Sequence, residues 1–361
     1  MNPTATLYRA GQSLWLDNIT RDLLDSGTLE RYIAELSVTG LTSNPTIYAK
    51  AIRTSGAYDE PIRRGREAGL SAEDLFFELA LDDLRRAADA FRAIHERTSG
   101  VDGWVSLEVS PLLAHDAEKT VREAKRLHDL ADRPNLYIKI PGTPEGLPAI
   151  EEAIFSGVPV NTTLLFTSDH FEAAAAAYMR GIERRLDAGL DASVASVASV
   201  FMSRWDVAVS GKVPAELEAK LALAVGASTY AAYRDLLETD RWQRLANEGA
   251  RPQRLLFAST GTKDPSASDV LYVSGFAAPQ TVDTMPEATL LAFADHGTVD
   301  DLLPRDGADS AQVLEAVRAA GVDPDALGQR LQADGADAFV DSWNQLLEHL
   351  ETKGRELVAA S

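Results

Sequence analysis

Three ionisable residues of this chain occur in short segments that are otherwise mainly apolar. Lys139 lies in L-Y-I-K-I-P-G, Glu108 lies in V-S-L-E-V, and Asp17 ends L-W-L-D. Removing an ammonium group from water favours its neutral form, and a neutral lysine can attack a carbonyl carbon to form an imine. Imine chemistry also needs proton transfers, which two carboxylates can supply. The three residues therefore predict Schiff-base catalysis at Lys139, with Asp17 and Glu108 as acid–base groups.

Two cations predict a site for an anion. Arg204 lies in F-M-S-R-W-D, and Lys263 lies in A-S-T-G-T-K, where small residues can expose backbone N–H groups beside the cation. Each residue alone fits a surface salt bridge. Because both follow neighbouring strands of the predicted sheet, together they favour phosphate recognition.

The elements that position these residues alternate along the chain. Eight short apolar segments predict strands at 14–17, 40–45, 105–109, 136–140, 158–166, 195–202, 254–258 and 270–273. Segments with helical periodicity separate most of them. This alternation predicts an α/β fold with a parallel sheet, and eight units predict a closed (β/α)8 TIM barrel. The alternative, an open doubly wound sheet, usually has a glycine-rich turn after the first strand, and that turn is missing here.

In such a barrel the active site lies where the carboxyl ends of the strands meet. Polar residues at or just beyond the predicted strand ends are Asp17, Thr42, Asn44, Glu108, Lys139, Asn161, Thr163, Ser199, Arg204, Ser259 and Lys263. Within the clearer strands they share one parity and most aliphatic residues hold the other, so one face of the sheet is polar near its end. A structural ion-pair cluster in the barrel mouth is the competing interpretation, since such networks also perturb pKa values.

Length and composition limit the remaining possibilities. The 361 residues are interpreted as one barrel domain, 1–361, with a helical C-terminal extension at about 300–361 that packs over the barrel or forms an oligomer contact. A helical interaction module would explain that extension alone. The formal charge of −20 disfavours nucleic acid as a partner, although one local basic pocket can still bind a phosphate.

Several classes of site are not expected. Cysteine is absent, which excludes disulfides, thiolate metal sites and a cysteine nucleophile. The six histidines include no H-x-x-x-H pair, and no Walker-type phosphate loop is present, so neither a metal nor a cofactor is expected. The N-terminus lacks the pattern of a signal peptide, and there is no apolar run of membrane-spanning length. We therefore expect a cytoplasmic enzyme with no membrane partner.

Eight segments in this order resemble the transaldolase family, and they cover nearly the whole chain. The segments are L-W-L-D-N-I-T-R at 14–21, G-L-T-S-N-P-T-I at 40–47, S-L-E-V-S at 106–110, Y-I-K-I-P-G-T at 137–143, V-N-T-T-L-L-F-T at 160–167, A-S-V-F-M-S-R-W-D at 198–206, L-F-A-S-T-G-T-K at 256–263 and T-V-D-T-M-P at 281–286. The chain length and the long C-terminal region are similar to the actinobacterial branch.

The resemblance implies a function in the non-oxidative pentose phosphate pathway. The family transfers a dihydroxyacetone unit between sedoheptulose 7-phosphate and glyceraldehyde 3-phosphate, which gives erythrose 4-phosphate and fructose 6-phosphate. It implies that Lys139 forms the Schiff base and that Asp17 takes the C4 hydroxyl proton as the C3–C4 bond breaks. It also implies that Glu108, with Thr163, positions the water for carbinolamine formation and imine hydrolysis.

The resemblance also implies a set of substrate contacts. Asn44 and Asn161 would bind the dihydroxyacetone moiety, with Thr42 and Ser199 nearby, and Arg204 would hold the phosphate. The chain departs from the family at one point: many transaldolases have a second arginine at the phosphate site, whereas the segment at 258–263, which includes Ser259, offers only Lys263.

Two other functions compete with transaldolase. A fructose 6-phosphate aldolase would release dihydroxyacetone to water, but such enzymes carry other residues at the positions of Glu108 and Thr163. A non-catalytic sugar-phosphate binding protein would need no lysine in the barrel. Sugar phosphates are the expected partners in either case, and the sequence leaves open whether the protein is a monomer or a homodimer.

Overall fold

The computed structural model describes residues 2–359, and its centre is a closed barrel of eight parallel strands. The strands follow one another around the barrel in sequence order, and the first pairs with the last. They are β1 Gln12–Asp17, β2 Val38–Thr42, β3 Trp104–Glu108, β4 Leu136–Pro141, β5 Val160–Leu165, β6 Ser196–Phe201, β7 Arg254–Ala258 and β8 Thr281–Met285. The predicted (β/α)8 barrel is confirmed.

Helices surround the barrel and follow its last strand. In the described part of the chain they are α1 Pro3–Arg9, α2 Arg21–Asp25, α3 Thr28–Glu35, α4 Pro45–Thr54, α5 Asp59–Glu67, α6 Ala72–Arg97, α7 Ala117–Ala131, α8 Leu147–Phe155, α9 Ser168–Asp187, α10 Arg204–Val209, α11 Ala215–Leu236, α12 Asp240–Asn247, α13 Leu271–Gly275, α14 Glu287–His296, α15 Ser310–Ala319 and α16 Pro324–Ala359. No helix within residues 2–359 is both long and apolar enough to cross a membrane.

Polar residues just beyond the strands start several of these helices. Asn44 follows β2, and its side-chain oxygen accepts a hydrogen bond from the backbone N–H of Ile47, while Pro45 occupies the first helical position. Thr167 follows β5 and caps α9 in the same way. A capping side chain satisfies a backbone donor that the helix leaves unpaired. The helices therefore begin at the same end of the barrel as the predicted site.

The interior of the barrel is filled by aromatic residues below the predicted site. Trp104 and Tyr137 stack with ring centroids 4.1 Å apart, and Trp15 lies 6.0 Å from Tyr137. Successive side chains of a strand alternate between its faces, so Asp17 and Lys139 follow Trp15 and Tyr137 on the inward face. The barrel thus changes from an aromatic core to a polar surface at its carboxyl end.

One predicted strand is wrong. The segment 270–273, V-L-Y-V, does not form the eighth strand, because residues Leu271–Gly275 are helix α13 and the eighth strand is Thr281–Met285. A short apolar run fits a buried helix turn as well as a buried strand. Here it is apolar because it packs on the outside of the barrel, where Phe276 stacks between Tyr272 and Phe257. The actual eighth strand, T-V-D-T-M, contains three polar residues, so the search for apolar segments does not predict it.

Helix α16 runs across the carboxyl end of the barrel. It contacts α4, α5, α6 and β5. Its Trp343 ring lies 4.9 Å from Phe76 and 5.6 Å from Phe77, and its Lys353 ammonium donates to the backbone oxygen of Ile52 at 2.6 Å. The Gln332 amide donates to the backbone oxygen of Gly142, just after β4, and to that of Leu164 in β5. These contacts fix the helix beside the predicted site.

Candidate active site

A cavity of about 410 Å³ opens at the carboxyl end of the barrel. Most of the predicted site residues line it: Asp17, Thr42, Asn44, Lys139, Thr163, Ser199, Arg204, Ser259 and Lys263. The other two predicted residues, Glu108 and Asn161, contact the lining residues Lys139 and Ser199. The structure therefore brings all the predicted residues together.

Lys139 is buried at the base of this cavity. Its ammonium donates to the backbone oxygen of Ser43 at 3.1 Å and to Glu108 Oε2 at 3.4 Å. Glu108 and Lys139 are register partners on β3 and β4, which explains why their side chains lie next to each other inside the barrel. With only 5% of its surface exposed, Lys139 is held in place by these two contacts.

Glu108 and Thr163 keep hydrogen-bonding capacity beside the lysine. Burial raises the pKa of Glu108, and the nearby Lys139 charge partly offsets that rise. Glu108 Oε1 and Thr163 Oγ1 are buried, and neither has a hydrogen-bond partner within residues 2–359. Buried polar atoms are nearly always hydrogen-bonded in folded proteins. These two oxygens can therefore bind a polar group of a reacting molecule or water.

Asp17 faces the lysine from another strand. Burial raises the pKa of the Asp17 carboxyl, while Lys139, a hydrogen bond from Thr42 and the more distant Lys263 lower it. Thr42 Oγ1 donates to Asp17 Oδ1 at 2.8 Å, and it also lies 2.7 Å from Thr284 Oγ1. Burial thus raises the pKa of two carboxyl groups near one lysine, and both groups can take part in proton transfer.

Two amide side chains are fixed by different partners. Asn161 is fully buried, accepts from Ser199 Oγ at 2.7 Å and donates to Ser106 Oγ at 3.2 Å. The side-chain oxygen of Asn44 is occupied by the cap of α4, so its NH₂ group is the part left for a ligand. Both amides are rigid before any ligand binds.

Arg204 supplies a cation held by aromatic rings. Its guanidinium carbon lies 5.1 Å from the Phe201 ring centre and 5.8 Å from that of Phe339. No carboxylate in the described part of the chain forms an ion pair with it. Gly335 of α16 allows this approach, because a Cβ atom there would lie 2.9 Å from Arg204 Nη1. An arginine held in place without a direct ion pair can bind an anionic group.

Two lysines and a serine also line the cavity. Lys263 and Lys50 both line it, so the cavity is locally basic although the chain is acidic. Ser259 has a left-handed backbone with a φ of 56°, and its hydroxyl lies 2.9 Å from that of Ser203. The local positive charge is the basic pocket that a small anion needs in an acidic protein.

Comparison with known proteins identifies the family. The model of the transaldolase/fructose-6-phosphate aldolase family matches residues 14–350. The chain belongs to this family.

Transaldolases of known name resemble the chain over nearly its full length. A transaldolase of Frankia alni is 48% identical over 355 residues, which cover 96% of both chains. A transaldolase of Thermobifida fusca is 47% identical over 358 residues, covering 97% of both. "Transaldolase 2" of Nostoc sp. (strain PCC 7120) is 41% identical over 372 residues, covering 98% of both. The resemblance to the actinobacterial branch is confirmed.

Sequence reasoning missed part of the cavity of this transaldolase-family chain. Lys50 and Phe201 line it, as does Phe339, which also lies 6.0 Å from the Lys139 ammonium. Nothing near Phe339 in the sequence indicates a site. Thr284 was missed because its strand was placed elsewhere, although T-V-D-T-M-P had been recognised as a family segment.

A larger cavity, of about 570 Å³, lies at the amino end of the barrel. Its Arg254 donates through both terminal nitrogens to Ser13, Asp102 and two backbone oxygens. Size alone therefore does not identify the active site, and the smaller cavity is the one that joins a lysine to two carboxylates.

Proposed function

We propose that this chain is a transaldolase that carries a dihydroxyacetone unit as an imine on Lys139. The observation that carries the proposal is Lys139 itself, the only lysine in a strand of the barrel, buried at the carboxyl end beside Glu108 and open to a cavity. Membership of the transaldolase/fructose-6-phosphate aldolase family supports it. The donor is sedoheptulose 7-phosphate and the acceptor glyceraldehyde 3-phosphate, within the non-oxidative pentose phosphate pathway.

Asp17 is the base in carbon–carbon cleavage. It takes the proton of the C4 hydroxyl while the C3–C4 bond breaks, and it returns a proton when the new bond forms. The burial that raises its pKa supports this role, because a group that alternates between base and acid works best when its pKa is near the working pH.

Glu108 and Thr163 serve the steps before and after cleavage. They position the water that is lost when the carbinolamine becomes an imine and that is added when the imine is hydrolysed. The support is that Glu108 Oε1 and Thr163 Oγ1 are both buried without a partner in residues 2–359. Fructose 6-phosphate aldolases carry other residues at these two positions, so Glu108 and Thr163 favour transfer.

The remaining residues bind the two ends of the sugar. Asn44 and Asn161 contact the dihydroxyacetone moiety, helped by Thr42 and Ser199. Arg204 holds the phosphate at the opposite end, where Lys263 and Ser259 also line the cavity. The positively charged side chains that line the cavity support the binding of a phosphate group there.

The proposal also concerns the domain organisation, the partners and the location of the protein. We propose that residues 1–361 are one domain; the support, within residues 2–359, is that Phe339 and Gly335 of the C-terminal helix lie beside Lys139 and Arg204. The charge of −20 makes nucleic acid an unsuitable partner. The proposed location is the cytoplasm, where sugar phosphates are the available substrates.

Borohydride reduction in the presence of fructose 6-phosphate tests the proposal. We expect a three-carbon adduct on the peptide that contains Lys139, located by mass mapping. Lys139→Arg should give no adduct and no turnover, because a guanidinium cannot act as the amine nucleophile. Lys125→Arg, at an exposed lysine on α7, is the matched control and should be trapped like the wild type.

Two results would contradict the proposal. One is an adduct on a lysine other than Lys139, and the other is no adduct at all. Release of free dihydroxyacetone without an acceptor aldehyde, at the rate of transfer, would instead identify a fructose 6-phosphate aldolase.

A further inference from the structure

The hydroxyls of Thr42 and Thr284 meet inside the barrel next to Asp17. Thr42 is the register partner of Asp17 on β2, and Thr284 lies on β8, so the two threonines belong to the strands that flank β1. Their Oγ1 atoms are 2.7 Å apart, and Thr42 Oγ1 is 2.8 Å from Asp17 Oδ1. Three oxygens thus form a row from the end of β8 to the carboxylate, and all three residues line the cavity.

The hydrogens of this row can be counted. A threonine hydroxyl has a single hydrogen. When Asp17 is ionised, Thr42 gives its hydrogen to the carboxylate, so the contact with Thr284 is a hydrogen bond only if Thr284 is the donor. When Asp17 is protonated, the carboxyl can donate to Thr42, and Thr42 can donate to Thr284. The direction of the row therefore follows the protonation of Asp17.

The backbone of Thr284 is held in place for this contact. The residue is 4% exposed and pairs in register with Trp15 of β1. Its backbone oxygen lies 3.0 Å from Thr260 Oγ1, whose single hydrogen is shared between this oxygen and the nearer Asp283 Oδ1 at 2.8 Å. Within residues 2–359 the Thr284 hydroxyl forms no hydrogen bond with Asp17, so it acts on the carboxylate through Thr42.

We propose that Thr284 is a positioning residue for the transfer reaction. By donating to Thr42, it orients the Thr42 hydroxyl so that Thr42 donates to Asp17, and this favours the ionised, proton-accepting form of Asp17. The inference rests on the proposed role of Asp17 as the cleavage base. Hydrogen bonds in a row polarise one another, so a donor behind Thr42 strengthens the bond from Thr42 to the carboxylate. Burial instead favours the protonated form of Asp17, so the hydrogen bond from Thr42 is needed to offset it.

The other charges around Asp17 do not depend on Thr284. Lys139 and Lys263 favour the ionised form of Asp17, and Asp17 and Glu108 oppose each other's ionisation. Lys50 and Arg204 line the same cavity. None of these residues forms a hydrogen bond with the Thr284 hydroxyl in the described part of the chain, so replacing that hydroxyl changes the row and leaves the charges in place.

The pH profile of kcat/KM for transfer from fructose 6-phosphate to erythrose 4-phosphate tests the inference in the full chain. Thr284→Val keeps the branched shape and removes the donor. We expect its acid limb to move to higher pH by about 0.5–1 unit, a loss of about three- to tenfold in rate on that limb, with little change above it. Thr284→Ser restores a hydroxyl and should return the limb to the wild-type position.

The outcomes separate this inference from the proposed function. A merely structural role would lower the rate by the same factor at every pH and lower the melting temperature, so an unshifted limb in Thr284→Val overturns the inference. A limb shifted equally in Thr284→Ser does the same. Asp17→Asn should abolish the limb. If the limb survives in Asp17→Asn, or if the wild type transfers nothing, the proposed role of Asp17 or of the whole chain fails first.

Discussion

Replacing Asp283 by asparagine should change how the stability of the protein depends on pH. Asp283 lies on β8 and is fully buried. Its Oδ1 accepts a hydrogen bond from Thr260 at 2.8 Å, and its Oδ2 has no partner within residues 2–359. Burial raises the pKa of Asp283 to about 7, and the bond from Thr260 opposes that rise only in part.

The direction in which stability changes with pH follows from how tightly each state binds the proton of Asp283. Since the folded state binds this proton more tightly than the unfolded chain, the contribution of Asp283 to stability is complete below the unfolded pKa of 3.8. It is lost progressively as pH rises from there to about 7. A difference of about three pKa units corresponds to about 4 kcal/mol, as an upper value. Asparagine carries no titrating proton and can still accept from Thr260.

Urea unfolding of the wild type and Asp283→Asn at several pH values between about 4 and 8 measures the effect. The free energy of unfolding of the variant, relative to the wild type, should rise by up to about 4 kcal/mol across this range. Thr260→Val removes the hydroxyl that donates to the Asp283 carboxyl, so the loss of stability should extend to higher pH than in the wild type. A difference between Asp283→Asn and the wild type that stays constant with pH would refute the reasoning.

Three further predictions concern the reaction. Arg204→Ala should raise KM for fructose 6-phosphate about ten- to a hundredfold, and far less for an unphosphorylated ketose, because a charge-assisted contact to phosphate is lost. Gly335→Ala should have a smaller effect of the same kind, because its Cβ would lie 2.9 Å from Arg204 Nη1. Asp17→Asn should accumulate a six-carbon adduct after borohydride reduction, whereas Glu108→Gln should slow the appearance of any adduct by about 10²–10⁴.

Each of these predictions has a clear contrary result. Equal losses for both ketoses would remove Arg204 from the phosphate site, and an unchanged KM in Gly335→Ala would show that the guanidinium can shift at no cost. A three-carbon adduct that forms at the normal rate in Asp17→Asn would mean that its carboxylate is not the cleavage base.

The barrel and its polar end could be predicted because strand periodicity is a local property. Lys139, Glu108 and Asp17 each stand out against apolar neighbours, and the position of each within its strand already indicates which face it occupies. The closed parallel topology then brings the strand ends together, which is why residues from different strands line one cavity.

The remaining residues depend on tertiary contacts that leave no local pattern. Phe339 reaches the cavity because α16 crosses the barrel, and that path is set by distant contacts such as that of Trp343 with Phe76. Thr284 was missed for a different reason. Its strand contains Asp283 and two threonines, so it is less apolar than the segment of α13, which is buried against the outside of the barrel.

The path of α16 also means that the cavity is completed late in the synthesis of the chain, because Phe339 of this helix lines it. This helix of 36 residues is about 54 Å long and ends at Ala359. Phe339 follows Met285, the end of the last strand, by roughly fifty positions, which a ribosome adds in about 3–10 s at 5–20 residues per second. For that interval the eight strands can already pair, while Arg204 still lacks Phe339 and the close passage of Gly335. The contacts of Arg204 with Phe339 and Gly335 are therefore among the last that the growing chain can form, and a chain that ends before Phe339 lacks one of the two rings beside the guanidinium.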